Sequence, residues 1–68
     1  MRTLTTTSEV IDALGGTKAV AELTGRTYRA AFNWRSKPKF PSNTFVTIRQ
    51  ELEKRDLYAP LALWGMAE

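Results

Sequence analysis

Arg26, Arg29, Arg35, Lys37 and Lys39 fall within one stretch that contains no acid, and Tyr28, Phe32, Asn33 and Trp34 are interleaved with them. Guanidinium and ammonium groups in this density attract phosphate, and the amide and aromatic side chains between them can address flat ligands by their edges and faces. The stretch from Glu51 to Asp56 is different, with acids and bases mixed. A solvated loop that happens to be cationic has the same composition, so the patch acquires meaning only from the elements that present it.

The residue types that are missing narrow the chemistry further. The chain has neither histidine nor cysteine. That removes Ser–His and Cys–His nucleophile pairs, disulfides, and thiolate or imidazole metal sites. The acids, Glu9, Asp12, Glu22, Glu51, Glu53, Asp56 and Glu68, lie mainly on the polar faces of the helices expected below. The expectation is therefore a binding protein and not an enzyme, with no metal, no cofactor and no small-molecule substrate. The 68 residues make one domain with a small core, and a second copy is the natural source of further burial. The absence of any apolar run of membrane length and of a secretory leader points to a cytoplasmic protein.

The patch must be carried by short helices, because glycine and proline divide the chain into brief segments with little strand signal. Thr6 and Glu9 have capping-box spacing, so a first helix should start near Thr6, bury Val10, Ile11 and Leu14, and stop at Gly15-Gly16. Thr17 is placed to cap a second helix that buries Val20, Ala21 and Leu23 and ends at Gly25. Thr27 is placed to cap a third, running to about Arg35, with Ala30, Ala31 and Trp34 inward. Ser36 to Pro41 reads as a loop. Ser42 should cap a longer helix with Phe45, Ile48 and Leu52 on its inner face and a Glu51–Arg55 pair outside. Pro60 suits the first turn of a last short helix containing Leu61 and Trp64. The expected architecture is all-α with five short helices.

Two of these helices, over Thr17 to Trp34, meet at a glycine-centred turn. Ala21 stands four positions before Gly25, where a small residue allows a close crossing, and Trp34 falls on the face of the third helix that turns back to the core. The run from ALGGTKAVAELTG through AAFNWR to Phe40-Pro41 and Leu63-Trp64-Gly65 resembles small Cro-like regulators of bacterial and prophage genomes, of the phage Cro and CI (lambda repressor-like) helix-turn-helix class. The resemblance covers nearly the whole chain, with the helix-turn-helix at about 17–35 and Ala21, Gly25 and Trp34 as its structural positions. Two positions depart from the class. Arg26 stands where an aliphatic residue is usual, and Ala31 where a Val or Ile commonly plugs the two-helix interface.

The resemblance implies a transcriptional repressor that reads a short palindromic operator in double-stranded DNA through the major groove, as a homodimer associated with the nucleoid. A chain of this length is expected to carry no effector domain. Tyr28, Arg29, Phe32 and Asn33 would face the bases. Arg29 suits guanine O6 and N7, with a phosphate contact as the alternative; Asn33 suits adenine, or else a local cap. Phe32 suits a thymine methyl, or else packs on the first helix or the Lys39-Phe40 loop. Trp34 is assigned to the core in preference to base stacking. Lys18, Thr27, Arg35, Lys37 and Lys39 would meet phosphates, Thr27 in addition to capping, with capping alone as its alternative. Leu57, Tyr58, Leu61, Leu63, Trp64 and Met66 form an apolar C-terminal stripe, half of which should complete the core while the rest, with Leu57, Tyr58, Leu61 and Trp64 as candidates, would supply the dimer interface. Two other readings remain open: an antitoxin-type module whose stripe binds a protein, with DNA contact secondary, and a protein that coats DNA without regard to sequence.

Overall fold

In the computed structural model, which describes residues 2–66, the chain forms four α-helices and a small parallel strand pair: β1 (Arg2–Thr3), α1 (Thr7–Ala13), α2 (Thr17–Thr24), α3 (Tyr28–Arg35), α4 (Phe45–Lys54) and β2 (Leu57–Tyr58). The domain is mostly helical. Single 3-10 turns precede α4 (Ser42–Thr44) and close the described chain (Leu61–Trp64). Among the described residues no helix is long and apolar enough to cross a membrane.

The first three helices follow from local capping chemistry. Thr6 Oγ1 accepts from the Glu9 amide at 3.1 Å, while the Glu9 carboxylate accepts from the Thr5 hydroxyl at 2.6 Å and the Thr5 amide at 3.2 Å. The hydroxyl and then the amide of Thr5 hold the Glu9 carboxyl below its ordinary pKa. α2 ends in a Schellman motif: Gly25 takes a left-handed conformation (φ 70°, ψ 23°), its amide donates to the Glu22 carbonyl at 3.3 Å, and the Arg26 amide donates to the Ala21 carbonyl at 3.0 Å. The turn to α3 is then complete within three residues, and Thr27 Oγ1 accepts from the Ala30 amide at 3.1 Å to start the next helix.

Thr17 does not cap α2. Gly16 occupies that position without a side-chain bond, and Thr17 is buried as the first helical residue. Ser42 does not cap α4 either, since it opens the 3-10 turn and the α-helix begins at Phe45. The expected fifth helix is also a single 3-10 turn. Only four residues separate Pro60 from Gly65, and Gly65 reverses the chain in the left-handed region (φ 71°). The strand pair is an element that periodicity could not reveal, because each strand has two residues. Arg2 aligns with Leu57 and Thr3 with Tyr58, and the Leu4 amide continues the ladder to the Tyr58 carbonyl at 2.7 Å. This pairing ties the start of the described chain to the segment after α4 and sinks Leu4 into the core.

That core joins Leu4, Val10, Ile11, Leu14, Val20, Ala21, Ala31, Ile48 and Leu52 to an aromatic group. Phe40 meets Trp34 edge to face (ring centroids 6.0 Å) and stacks on Trp64 (5.3 Å), and Trp64 meets Phe45 edge to face (5.2 Å). Trp64 Nε1 donates to Thr44 Oγ1 at 3.2 Å, and Thr44 in turn donates to the Pro41 carbonyl at 2.7 Å. Trp64 is only 3% exposed. It therefore belongs to the core and not to a dimer interface, where the sequence placed it.

Thr44→Val keeps the shape but strands the buried Trp64 N–H. It is expected to cost about 1–3 kcal/mol in urea unfolding. Glu9 supplies a pH-dependent contribution. Because its folded pKa is depressed, its stabilisation is complete above the unfolded value and is lost as pH falls through the folded one. Glu9→Gln should therefore flatten the acid limb of the stability profile below roughly pH 4.3 and leave its neutral region with the same slope.

Candidate nucleic-acid interface

α3 buries one narrow stripe, Ala31 and Trp34, against the rest of the domain. Helical periodicity then turns Tyr28, Arg29, Phe32 and Asn33 to the opposite side, and all of them are exposed. Phe32 faces outward, with 54% of its surface accessible, and does not tuck under α1 or the following loop. Tyr28 is 58% accessible and stacks on Phe32, the rings 6.3 Å apart and 18° from parallel. The Asn33 carbonyl accepts from Ser36 Oγ at 2.9 Å, while its side chain makes no hydrogen bond to the described residues. The amide of Asn33 is thus available to a ligand, and a capping role falls to Ser36.

Two contacts hold this helix by its C-terminal end. Thr7 Oγ1, buried at the start of α1, lies within donating distance of two carbonyls, Trp34 at 2.8 Å and Lys37 at 2.9 Å. Arg35 engages three acceptors. Nε donates to Thr17 Oγ1 at 2.8 Å, Nη1 to Ser8 Oγ at 3.0 Å and Nη2 to Asp12 Oδ1 at 2.6 Å, with 26% of the side chain accessible. One guanidinium thereby links α1, α2 and α3. Three of the five guanidinium N–H groups of Arg35, expected to meet a phosphate, are thus engaged within the protein. Thr7, Ser8 and Asp12 are the site-supporting residues that the sequence reading missed. Their only local sign is the spacing of Ser8 and Asp12, four apart on one face of α1.

The remaining cations divide by location. On α4, Arg49 pairs with Glu53 at 3.4 Å, and Glu51 is shared by Lys54 at 3.2 Å and Arg55 at 3.8 Å. By contrast Lys18, Arg26, Arg29, Lys37 and Lys39 are exposed, and none has a carboxylate partner among the described residues. Arg29 is the second residue of α3, Arg26, Lys37 and Lys39 bracket that helix in the chain, and Lys18 is the second residue of α2, on which α3 packs. Thr27 remains exposed beside them although its Oγ1 is engaged in capping. Ala21 is buried at the α2–α3 crossing, as is Ala31. Val20 and Trp34 are buried in the same core cluster, while Arg26 is exposed.

Leu57, Tyr58 and Leu61 are half-buried, so a stripe without Trp64 is all that remains of the expected dimer surface. No family model matches the sequence, and neither a curated protein nor a solved structure matches it. The assembled surface can donate hydrogen bonds and positive charge, with two aromatic faces and one amide at its centre.

The difference between an arginine bonded within the fold and one on its open face is measurable. Arg35→Ala should lower unfolding stability by about 1–2 kcal/mol through the loss of partly exposed charged hydrogen bonds. Arg29→Ala, on the open face, should leave stability within about 0.5 kcal/mol. Urea titrations of the two variants side by side test this assignment.

Proposed function

We propose that this protein is a sequence-specific, Cro-like transcriptional regulator, in which α2, the Gly25-centred turn and α3 form a helix-turn-helix that docks α3 in the major groove of double-stranded DNA. The observation that carries the reading is the outward face of α3: Tyr28, Arg29, Phe32 and Asn33 are exposed together, and the cations flanking them have no acidic partner among the described residues. A single helix fits the major groove, which is about 12 Å wide and displays a different donor and acceptor pattern for each base pair. Arg29 matches guanine O6 and N7, and Asn33 matches adenine N6 and N7.

In this reading Lys18, Arg26, Lys37 and Lys39 neutralise phosphates and fix the register of the helix on the duplex, contributing affinity to every sequence alike. Thr27 adds its position at the helix start to its capping role. Arg35 acts at one remove, holding α3 at the angle at which its face meets the base edges. A helix of eight residues contacts only a few base pairs. Two copies on an inverted repeat, about 34 Å between half-site centres, extend the site and give repression by occupying a promoter. The half-buried Leu57, Tyr58 and Leu61 are the apolar residues from the stripe that such a dimer would use.

Selection from a random duplex library at physiological salt tests the reading. The expected result is a short inverted repeat bound about a thousandfold more tightly than scrambled DNA. On that site Arg29→Ala should cost about 1–3 kcal/mol and relax one base position. Lys37→Ala should weaken all duplexes equally and reduce the salt slope by about one. A uniform affinity for every sequence would instead indicate a DNA-coating protein, and no affinity for DNA would redirect the search to a protein partner of the same face.

A further inference from the structure

The stacked pair of Tyr28 and Phe32 is an apolar ridge in the middle of a polar, cationic face. More than half of each ring's residue surface is accessible, at 58% and 54%, and neither ring covers the core. A soluble domain gains nothing by holding two aromatic rings open to water, so the ridge calls for an occupant with apolar groups. The cations around it, Arg26, Arg29, Lys37 and Lys39, lack acidic partners among the described residues and specify an occupant that is otherwise strongly negative. The duplex major groove combines these properties at one place only: the C5-methyl groups of thymine, lying between two phosphate backbones.

We infer that the Tyr28–Phe32 ridge is a reader of pyrimidine C5-methyl groups, so that the preferred site contains thymines whose methyls, and not only their hydrogen-bonding edges, determine affinity. This rests on the DNA-binding reading above and specifies the base chemistry of the same face. The ring separation of 6.3 Å is close to two base rises of roughly 3.4 Å, so the ridge is long enough to cover methyls on neighbouring base pairs. Arg29 follows Tyr28 directly, and Asn33 follows Phe32. Each ring is thus adjacent to a hydrogen-bonding group: a guanine reader beside one and an adenine reader beside the other. The site this favours has thymine methyls alternating or abutting with purine edges. Stacking also restrains both rings before binding, which reduces the ordering cost of contact.

Removal of a methyl tests the ridge without altering base pairing. In the duplex selected by the wild-type protein, each thymine is replaced in turn by deoxyuridine and the Kd is measured. Affinity should fall about fourfold at each of one or two thymines, the value for one buried methyl-sized group. Phe32→Ala and Tyr28→Ala should each abolish that sensitivity at one of these positions. Both residues are exposed, and unchanged helical circular dichroism verifies that the variants fold. Specific binding that tolerates uracil everywhere, or a selected site with no thymine, overturns the inference while leaving the DNA-binding reading in place. Sensitivity to uracil that persists in both variants assigns the methyls to another residue and overturns it too. Absence of specific DNA binding removes both readings.

Discussion

A helix of two turns has too few internal hydrogen bonds to offset its own nucleation, and α3 must nevertheless keep its shape while facing half of its side chains to water. Its only apolar anchorage is the Ala31–Trp34 stripe. The other support is polar and comes from both ends. Thr27 caps the first turn, and Thr7 and Arg35 fasten the last turn to α1 and α2. These contacts share a feature: each uses a backbone carbonyl, a backbone amide or a side chain on the inner half of the helix. The outer half is left without structural duties, which is why its residues are free to be chosen by a ligand.

Trp34 transmits that anchorage to the remainder of the domain. It meets Phe40, Phe40 stacks on Trp64, and Trp64 reaches both Phe45 and the Thr44 hydroxyl. The loop after α3, the turn before α4 and the final 3-10 turn therefore converge on one aromatic group, and the Phe40 amide reinforces it by donating to the Leu63 carbonyl at 2.6 Å. Edge-to-face and offset contacts of this kind contribute roughly 0.5–1.5 kcal/mol each beyond burial. In a domain too small for a deep aliphatic core and without disulfides, directional contacts between large side chains supply both stability and a unique arrangement.

The sequence disclosed what is local and concealed what is long-range. Thr6 with Glu9, Gly25 with Arg26, and Thr27 with Ala30 are all neighbours within one turn, so their spacing was sufficient to place the ends of α1, α2 and the start of α3. The outward set on α3 followed from period alone once Trp34 was assigned inward. Arg35 shows the opposite case. Its basic neighbours suggest a phosphate ligand and give no sign of its three acceptors within the fold, which lie 18 to 27 positions away. Trp64 was misplaced for the same reason, because the residues that bury it, Phe40, Thr44 and Phe45, belong to a different segment. Strands of two residues leave no period at all, and only the pairing with Leu57 and Tyr58 defines β1.

Charge is divided in the same manner as packing. The net charge of +3 is small, and at physiological salt its field is screened within about 8 Å, so total charge says little about what the protein attracts. The allocation of partners says more. Glu51 and Glu53 of α4 balance Arg49, Lys54 and Arg55, and Asp12 balances Arg35. The cations around α3 receive none of them. An exposed ion pair contributes at most about 1 kcal/mol to stability, so leaving these cations unpaired costs the fold little. For a polyanion the same choice matters much more, since each cation without a partner can displace a condensed counterion without first breaking an internal bond. A surface with its charges kept available, its aromatic rings prestacked and its helix fastened from behind is organised for contact before any partner arrives.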